Sequence, residues 1–240
     1  MEIKSDDKIR FQESYLLFGI EQTEAADLFR KNFFRSKNVD VIVTDENGEL
    51  EVVFLTSEQK YLSRIRKHFQ STFKNYILSV PNKELEEIFF DAIQHKKAIV
   101  STAESVTGGM IASRILNQPG ASEILKEAFI VYSNDSKRKI LGVSKENLEK
   151  YGSVSEEVAR EMAMKLKEKS KASIIITSTG VAGPSGGSEA NPVGTVYFGF
   201  LLDDSCTVVK KVFSGHRMAV RKKATAFALA YIIDYLRKRG

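Results

Sequence analysis

The sequence is poor in the residues on which exported and metal-bound proteins are built. Cys206 is the one cysteine among 240 residues, which excludes an internal disulfide and a zinc site made of cysteines. Its place in an apolar run predicts a buried strand residue, and its isolation fits a reducing compartment. His68, His95 and His216, the three histidines, have neither HExxH nor any paired spacing, so no metal or other cofactor is expected. No apolar run approaches the ~20 residues of a membrane-spanning helix. The opening MEIKSDDKIRF has no apolar signal core, and these absences predict a cytoplasmic protein with no membrane partner. Neither sign of charge dominates: 36 Lys and Arg against 31 Asp and Glu leave +5. Such interspersed charge suits solubility and an anionic small ligand, and does not by itself imply nucleic acid.

What is present is an ordinary core. The apolar share, 42%, is enough for folded structure in one large or two small domains. Residues 8–20 read as a strand and 21–34 as a helix. Val41 to Val43 and Leu50 to Leu55 flank Glu46-Asn47-Gly48, a pattern for a tight hairpin. Ser57 is placed to cap a helix with Tyr61, Ile65, His68, Phe69 and Phe73 on one face. This predicts a small α+β domain over 1–80, with Pro81-Asn82 marking the boundary to a second domain over 81–240.

In the second domain Leu85, Ile88, Phe89 and Ile93 mark a helix. Three buried strands are expected, at Ala98 to Val100, Phe129 to Tyr132 and Ile174 to Ile176. Ser133-Asn134 and Ser155 are placed to cap helices, and Gly142 to close one. Gly194 to Leu202 and Cys206 to Phe213 pair through Asp203-Asp204, and a helix from Arg217 to Arg239 ends the chain. The fold class is α/β, three layers, behind the small α+β domain.

Each buried strand runs into a polar turn: Ser105 after the first, Tyr132-Ser133 after the second, Thr179-Gly180 after the third. In a sheet of parallel strands such turns gather at the carboxyl edge, where ligands bind. After the first strand Gly108 and Gly109 open a helix, whose N–H groups and dipole favour an anion. Lys137 lies one helical turn beyond Ser133. It is either the general base of a Ser–Lys pair or a solvated charge in the run SKRK. Arg217 and Arg221 share a helix face, which suits a phosphate held from two sides or a solvated basic face. The segment 183–188 either wraps a phosphate with backbone N–H groups or merely connects. His216, after a glycine at a helix start, reads as structural.

Five stretches in this order and spacing resemble one family: AESVTGG at 103–109, VYSNDSKRKILGV at 131–143, GSVSEEVAREMA at 152–163, STGVAGPSGG at 178–187 and PVGTVY at 192–197. They are similar to the carboxy-terminal domain of the competence/damage-inducible CinA proteins, the nicotinamide mononucleotide deamidase module, over about 85 to 240. Residues 8–80, including FGIEQTEAADLF at 18–29, resemble the KH-type domain that precedes this module. The resemblance also implies a chain without the large nucleotide-pyrophosphatase-like domain that leads full-length members.

That resemblance implies hydrolysis of the carboxamide of nicotinamide mononucleotide to nicotinate mononucleotide and ammonia, without a metal. Ser105 matches the nucleophile, Lys137 the catalytic lysine and Tyr132 the aromatic hydroxyl beside it. Glu104, Thr107, Gly108, Gly109, Thr179 and Gly180 fall at ligand-binding positions, with N–H groups near Thr107 to Gly109 as the oxyanion site. Arg217 or Arg221 matches a phosphate-side arginine. Val106 stands where the turn usually has cysteine, and Gly215-His216 where an acidic or amide residue commonly precedes the arginine. The partners implied are a small nucleotide substrate and further copies of the chain. Two alternatives keep other functions open. One is an amidase for another pyridine or purine nucleotide. The other is a binding protein in nucleic-acid transactions, against which 1–80 has no GxxG loop flanked by basic residues.

Overall fold

The computed structural model describes residues 11–33, 38–78 and 80–239. Its first unit is a three-stranded antiparallel sheet in the order β1 (Phe11–Leu17), β3 (Glu49–Thr56), β2 (Asp40–Glu46), with α1 (Gln22–Phe33) and α2 (Gln59–Thr72) packed on it. The hairpin lies where its turn residues place it: Asn47 and Gly48 both take positive φ, and Glu46 faces Glu49. Tyr15, Phe29, Phe54, Phe69 and Phe73 form an aromatic core of their own. The buried Glu13 on the same face is held by Arg66 of α2 through a two-pronged pair. Residues 8–10 of the expected first strand lie outside the described residues. Two further expectations are corrected. Glu58 rather than Ser57 occupies the N-cap of α2, without a side-chain bond, and His68 is exposed while Leu62 takes the buried position beside Ile65.

The second sheet has five strands in the order β5 (Leu125–Ile130), β4 (Val100–Glu104), β6 (Ile174–Gly180), β7 (Thr195–Leu202), β8 (Ser205–Val212). The first three run parallel, and β7 and β8 return antiparallel through Asp203-Asp204. On one face lie α3 (Leu85–His95), α4 (Met110–Leu116) and the long α8 (Arg217–Lys238). Its core joins Phe89, Val100, Ile176, Phe198 and Leu229. On the other face α7 (Glu156–Ser170) covers the sheet, with α6 (Lys145–Tyr151) beside it. Between β5 and α6, α5 (Asn134–Ser136) runs on as a π-helical turn, Lys137–Leu141. This is the expected three-layer α/β arrangement. Ser133 and Ser155 cap their helices, and Gly142 closes the π-turn in the left-handed conformation.

Three strand expectations change. The first buried strand runs from Val100 to Glu104, so Ala98 and Ile99 precede it. The second strand begins at Leu125, stops at Ile130, and is a half-exposed edge strand rather than a buried one, because nothing pairs with its outer side among the described residues. Cys206 is half-buried, being on the other edge strand, β8.

The two sheets meet along α3, α4 and α8. Arg114 of α4 donates to Glu86 of α3 and to Glu49 of β3, Phe18 packs on Phe227, and Arg237 donates to the carbonyls of Lys74, Asn75 and Ile77. Among the described residues no helix is long and apolar enough to cross a membrane.

Candidate active site

The carboxyl ends of β5, β4 and β6 are level, since Glu104 pairs with both Ile130 and Ser178. Their three following turns therefore meet, as the strand pattern predicts, around a hollow of about 380 Å³. Ser105, Tyr132, Lys137, Thr179, Gly180 and Arg217 all line it.

At its floor are a serine and a lysine. The Ser105 N–H donates to Ser178 O at 2.9 Å, continuing the strand ladder one residue past β4 and fixing where the side chain leaves the backbone. Lys137 reaches it from α5. The Ser133 side chain and Ser136 form a capping box, and the Lys137 N–H then bonds Ser133 O. The widened π-turn that follows directs the chain inward, a device common at functional sites. Lys137 is 1% exposed although Arg138 and Lys139, the two residues that follow it, are in solvent. Its Nζ lies 2.9 Å from Ser105 Oγ, 3.0 Å from Val131 O and 3.2 Å from Tyr132 O.

Among the described residues no carboxylate pairs with this amine. Burial without a counter-charge disfavours the ammonium form, and it lowers the Lys137 pKa from its usual value to about 8. A neutral amine has two N–H donors and one lone pair. The ammonium form donates to all three oxygens; in the neutral form two N–H groups stay on the Val131 and Tyr132 carbonyls and the lone pair is left facing the Ser105 hydroxyl, the form able to accept its proton. The solvated-charge reading of Lys137 is thereby excluded.

The other sequence candidates separate into those that face the hollow and those that brace it. Tyr132 does both in an unexpected way: its carbonyl holds Lys137, while the residue is 67% exposed and its hydroxyl makes no hydrogen bond among the described residues. Thr179, 1% exposed, donates its hydroxyl to Ser153 O at 2.6 Å. Gly180 is required by packing, for a Cβ there would sit 2.5 Å from Thr195 O. Arg217 donates to Gly183 O at 3.1 Å across the mouth. His216 occupies the N-cap of α8 without a side-chain bond.

The helix-terminus anion site expected at α4 is already filled, and by the protein itself. The fully buried Glu104 carboxylate accepts the N–H groups of Gly109, Ile111 and Ala112 at 2.9–3.0 Å and the Thr107 hydroxyl at 2.6 Å. Thr107 in turn bonds Ser178 Oγ at 2.7 Å. Glu104, Thr107, Gly108 and Gly109 thus build the turn and do not line the hollow, and Gly109 is unavailable to an oxyanion. The N–H of Val106, the next residue after Ser105 and on the hollow's lining, makes no hydrogen bond among the described residues. Arg221 is also behind the turn, donating to Val106 O at 3.1 Å and Thr107 O at 2.8 Å. Sequence reasoning missed Asn134, Ser153, Val154 and Ala182 as lining. Asn134 adjoins the Ser133 cap, and Ser153, Val154 and Ala182 stand in the stretches at 152–163 and 178–187 that carry the family resemblance, which was the readable signal for each.

Fold and site together define a class: an α/β protein of mixed sheet with a serine–lysine pair at the carboxyl edge of its parallel strands. Comparison with known proteins makes this particular. The family model described as the CinA C-terminal domain matches residues 82–236, and the chain belongs to the CinA family. A CinA-like protein of Petrotoga mobilis is 36% identical over 249 residues, covering 99% of this chain and 58% of its own length. A putative competence-damage inducible protein of Clostridium perfringens is 40% identical over 205 residues, covering 85% and 48%. The chain thus spans about half the length of the curated relatives it matches. Among solved structures, a competence-damaged protein (CinA) superfamily protein of Escherichia coli superposes with a TM-score of 0.61 at 33% identity, covering 63% of this chain and 88% of that one. A competence/damage inducible protein of Agrobacterium tumefaciens gives 0.58 at 34%, covering 65% and 97%.

Proposed function

We propose that this chain is a nucleotide amidase that hydrolyses nicotinamide mononucleotide to nicotinate mononucleotide and ammonia, in the cytoplasm. The observation that carries the reading is the buried, carboxylate-free Lys137 amine 2.9 Å from Ser105 Oγ. Neutral Lys137 takes the Ser105 proton as Oγ bonds to the carboxamide carbon, and the carbonyl pair moves onto oxygen. The Val106 N–H is the donor best placed in sequence to meet that oxygen, in place of the Gly109 N–H that Glu104 occupies. Collapse of the adduct breaks the C–N bond, Lys137 returns the proton to the leaving nitrogen, and ammonia departs. Water, deprotonated by the same amine, then cleaves the ester and restores the Ser105 hydroxyl.

Arg217 supports a phosphate-bearing substrate, because it lines the hollow and spends one N–H on Gly183 O. The first unit, which we assign to the KH type, supports no nucleic-acid role here. Gly19 and Gly48 are the only glycines in 1–80, so no GxxG clamp exists. Helices α1 and α2 are separated by the hairpin, and the sheet face turned from them carries Glu46 and Glu51, charges that repel a phosphate backbone.

The test is ammonia release from nicotinamide mononucleotide by the purified chain, with Ser105→Ala and free nicotinamide as controls. Release that depends on Ser105 and on the phosphoribosyl group is expected. A folded chain that releases none overturns the reading in favour of a binding protein, and release from other nucleotides alone redirects it to a different amidase.

A further inference from the structure

We propose that Arg221 is a positioning residue that aims Ser105 by gripping its turn, and that it does not bind the substrate's phosphate. The Ser105 turn exposes two backbone carbonyls toward α8, those of Val106 and Thr107, and the Arg221 fork takes one with Nε and the other with Nη2. The guanidinium lies flat against the turn: a Cβ on Gly108 would come within 2.9 Å of Arg221 Nη2, and Gly108 also has φ +61°. On the opposite side Glu104 takes the donors of the same turn, the Thr107 hydroxyl and the Gly109 N–H. A cation on its carbonyls and an anion on its N–H groups thus clamp the loop whose first residue is Ser105.

Position on α8 separates Arg221 from Arg217. The two are one helical turn apart, and both border a neighbouring hollow with Ala182 and Pro184, yet only Arg217 also lines the hollow that holds Ser105 and Lys137. With Nε and Nη2 committed to the turn, Arg221 keeps only Nη1 uncommitted among the described residues, and it can offer a phosphate its Nε–Nη2 edge only by releasing the Ser105 turn. A misplacement of a nucleophile by about 1 Å costs on the order of 100-fold in rate.

The kinetic test rests on the amidase reading, and a second arm is independent of it. In the first, kcat and KM are measured for nicotinamide mononucleotide and for its nucleoside, which lacks the phosphate, in wild type, Arg221→Met and Arg221→Lys. Positioning predicts a fall in kcat of about 100-fold for both compounds with an unchanged KM for the nucleotide. It also predicts partial recovery in Arg221→Lys, whose ammonium reaches one carbonyl but cannot fork to two. A rise in KM confined to the nucleotide, with the nucleoside untouched, overturns the proposal. In the second arm, a fluorophosphonate labels Ser105: Oγ bonds to phosphorus, fluoride leaves, and the Oγ proton passes to Lys137. Labelling should slow by a similar factor in Arg221→Met that melts as a folded protein, and Arg221→Lys decides the matter if Arg221→Met does not fold. Undiminished labelling overturns the proposal even if no nucleotide is a substrate. A wild-type serine that neither labels nor turns over overturns both readings.

Discussion

Arg114 and Lys137 are both withdrawn from water and are treated in opposite ways. Arg114, at the junction of the two sheets, meets three carboxylate oxygens: Nε and Nη2 on Glu86 at 2.5–2.6 Å, and Nη1 on Glu49 at 2.8 Å. Burial works against its charge, and the hydrogen bonds of both carboxylates more than offset that, so the guanidinium is held firmly ionised. Lys137 is buried more deeply and meets only dipoles. The same physical cost, desolvation, is neutralised at one place and left standing at the other. Where it stands, the amine becomes a base near neutral pH; where it is neutralised, a joint between two sheets results.

The contrast is broken first by exchanging each cation for a neutral chain of similar length. Lys137→Met should lower kcat for ammonia release by about 10⁴-fold, the upper range for a general base, without lowering the melting temperature, because an uncompensated buried amine is lost. A clear drop in melting temperature would show that Lys137 holds the fold as Arg114 does. Arg114→Met should do the reverse. It leaves two partly buried carboxylates unpaired, costs about 2–3 kcal/mol in urea unfolding, and leaves the kcat of the folded protein unchanged.

A smaller effect is expected from pH. With a Lys137 pKa of about 8, the neutral fraction and therefore kcat/KM should rise about tenfold between pH 7 and 9, a rise that initial rates of ammonia release would follow. Stability moves the same way. The unfolded chain, with an ordinary lysine pKa near 10.4, binds more protons than the folded one between these values. The cost of the charged amine is therefore in full force below pH 8 and disappears as pH rises from there to about 10.4. A flat rate profile would exclude this amine as the base.

The smallest effect concerns the two carboxylates on Arg114. Burial raises the Glu49 pKa, against the pull of Arg114, whereas Arg114 outweighs burial at Glu86 and lowers it. Glu86 therefore gains more from the pair. Glu86→Gln should cost about 1–2 kcal/mol and Glu49→Gln less than about 1 kcal/mol, measured by urea midpoints; the reverse order would mean that the junction is held mainly from the first sheet.

The sequence revealed convergence better than it revealed contact. Three apolar runs each followed by a small polar turn were enough to bring Ser105, Tyr132, Lys137 and Thr179 to one sheet edge, because strand direction fixes where their ends go. What stayed hidden is what depends on side-chain direction. SKRK left Lys137 open between a base and a solvated charge, and only the structure shows it turned inward while Arg138 and Lys139 stay out. Glu104 reads as a polar turn residue facing a ligand, but as the last residue of β4 it points beneath the turn and occupies the N–H groups that a ligand would have used. Arg217 and Arg221 share a helix face, yet four residues of rise along α8 put one in the hollow and the other behind it. The outer position of β5 was illegible for another reason: apolar content marks Phe129 to Tyr132 as strand but does not say that no neighbour covers it.

On the amidase reading, the burial of Lys137 also sets when the chain becomes able to react. On an unfolded or partly folded chain this amine is an ordinary lysine, protonated at neutral pH and unable to accept a proton from Ser105. The base is created by closure of β4, β5 and the turn over it, elements that bring together residues 32 positions apart. On the amidase reading, reactivity is expected only once these elements have closed around the amine. In a refolding experiment, the return of catalysis would mark the expulsion of water from around one amine, later than the return of helix or strand signal.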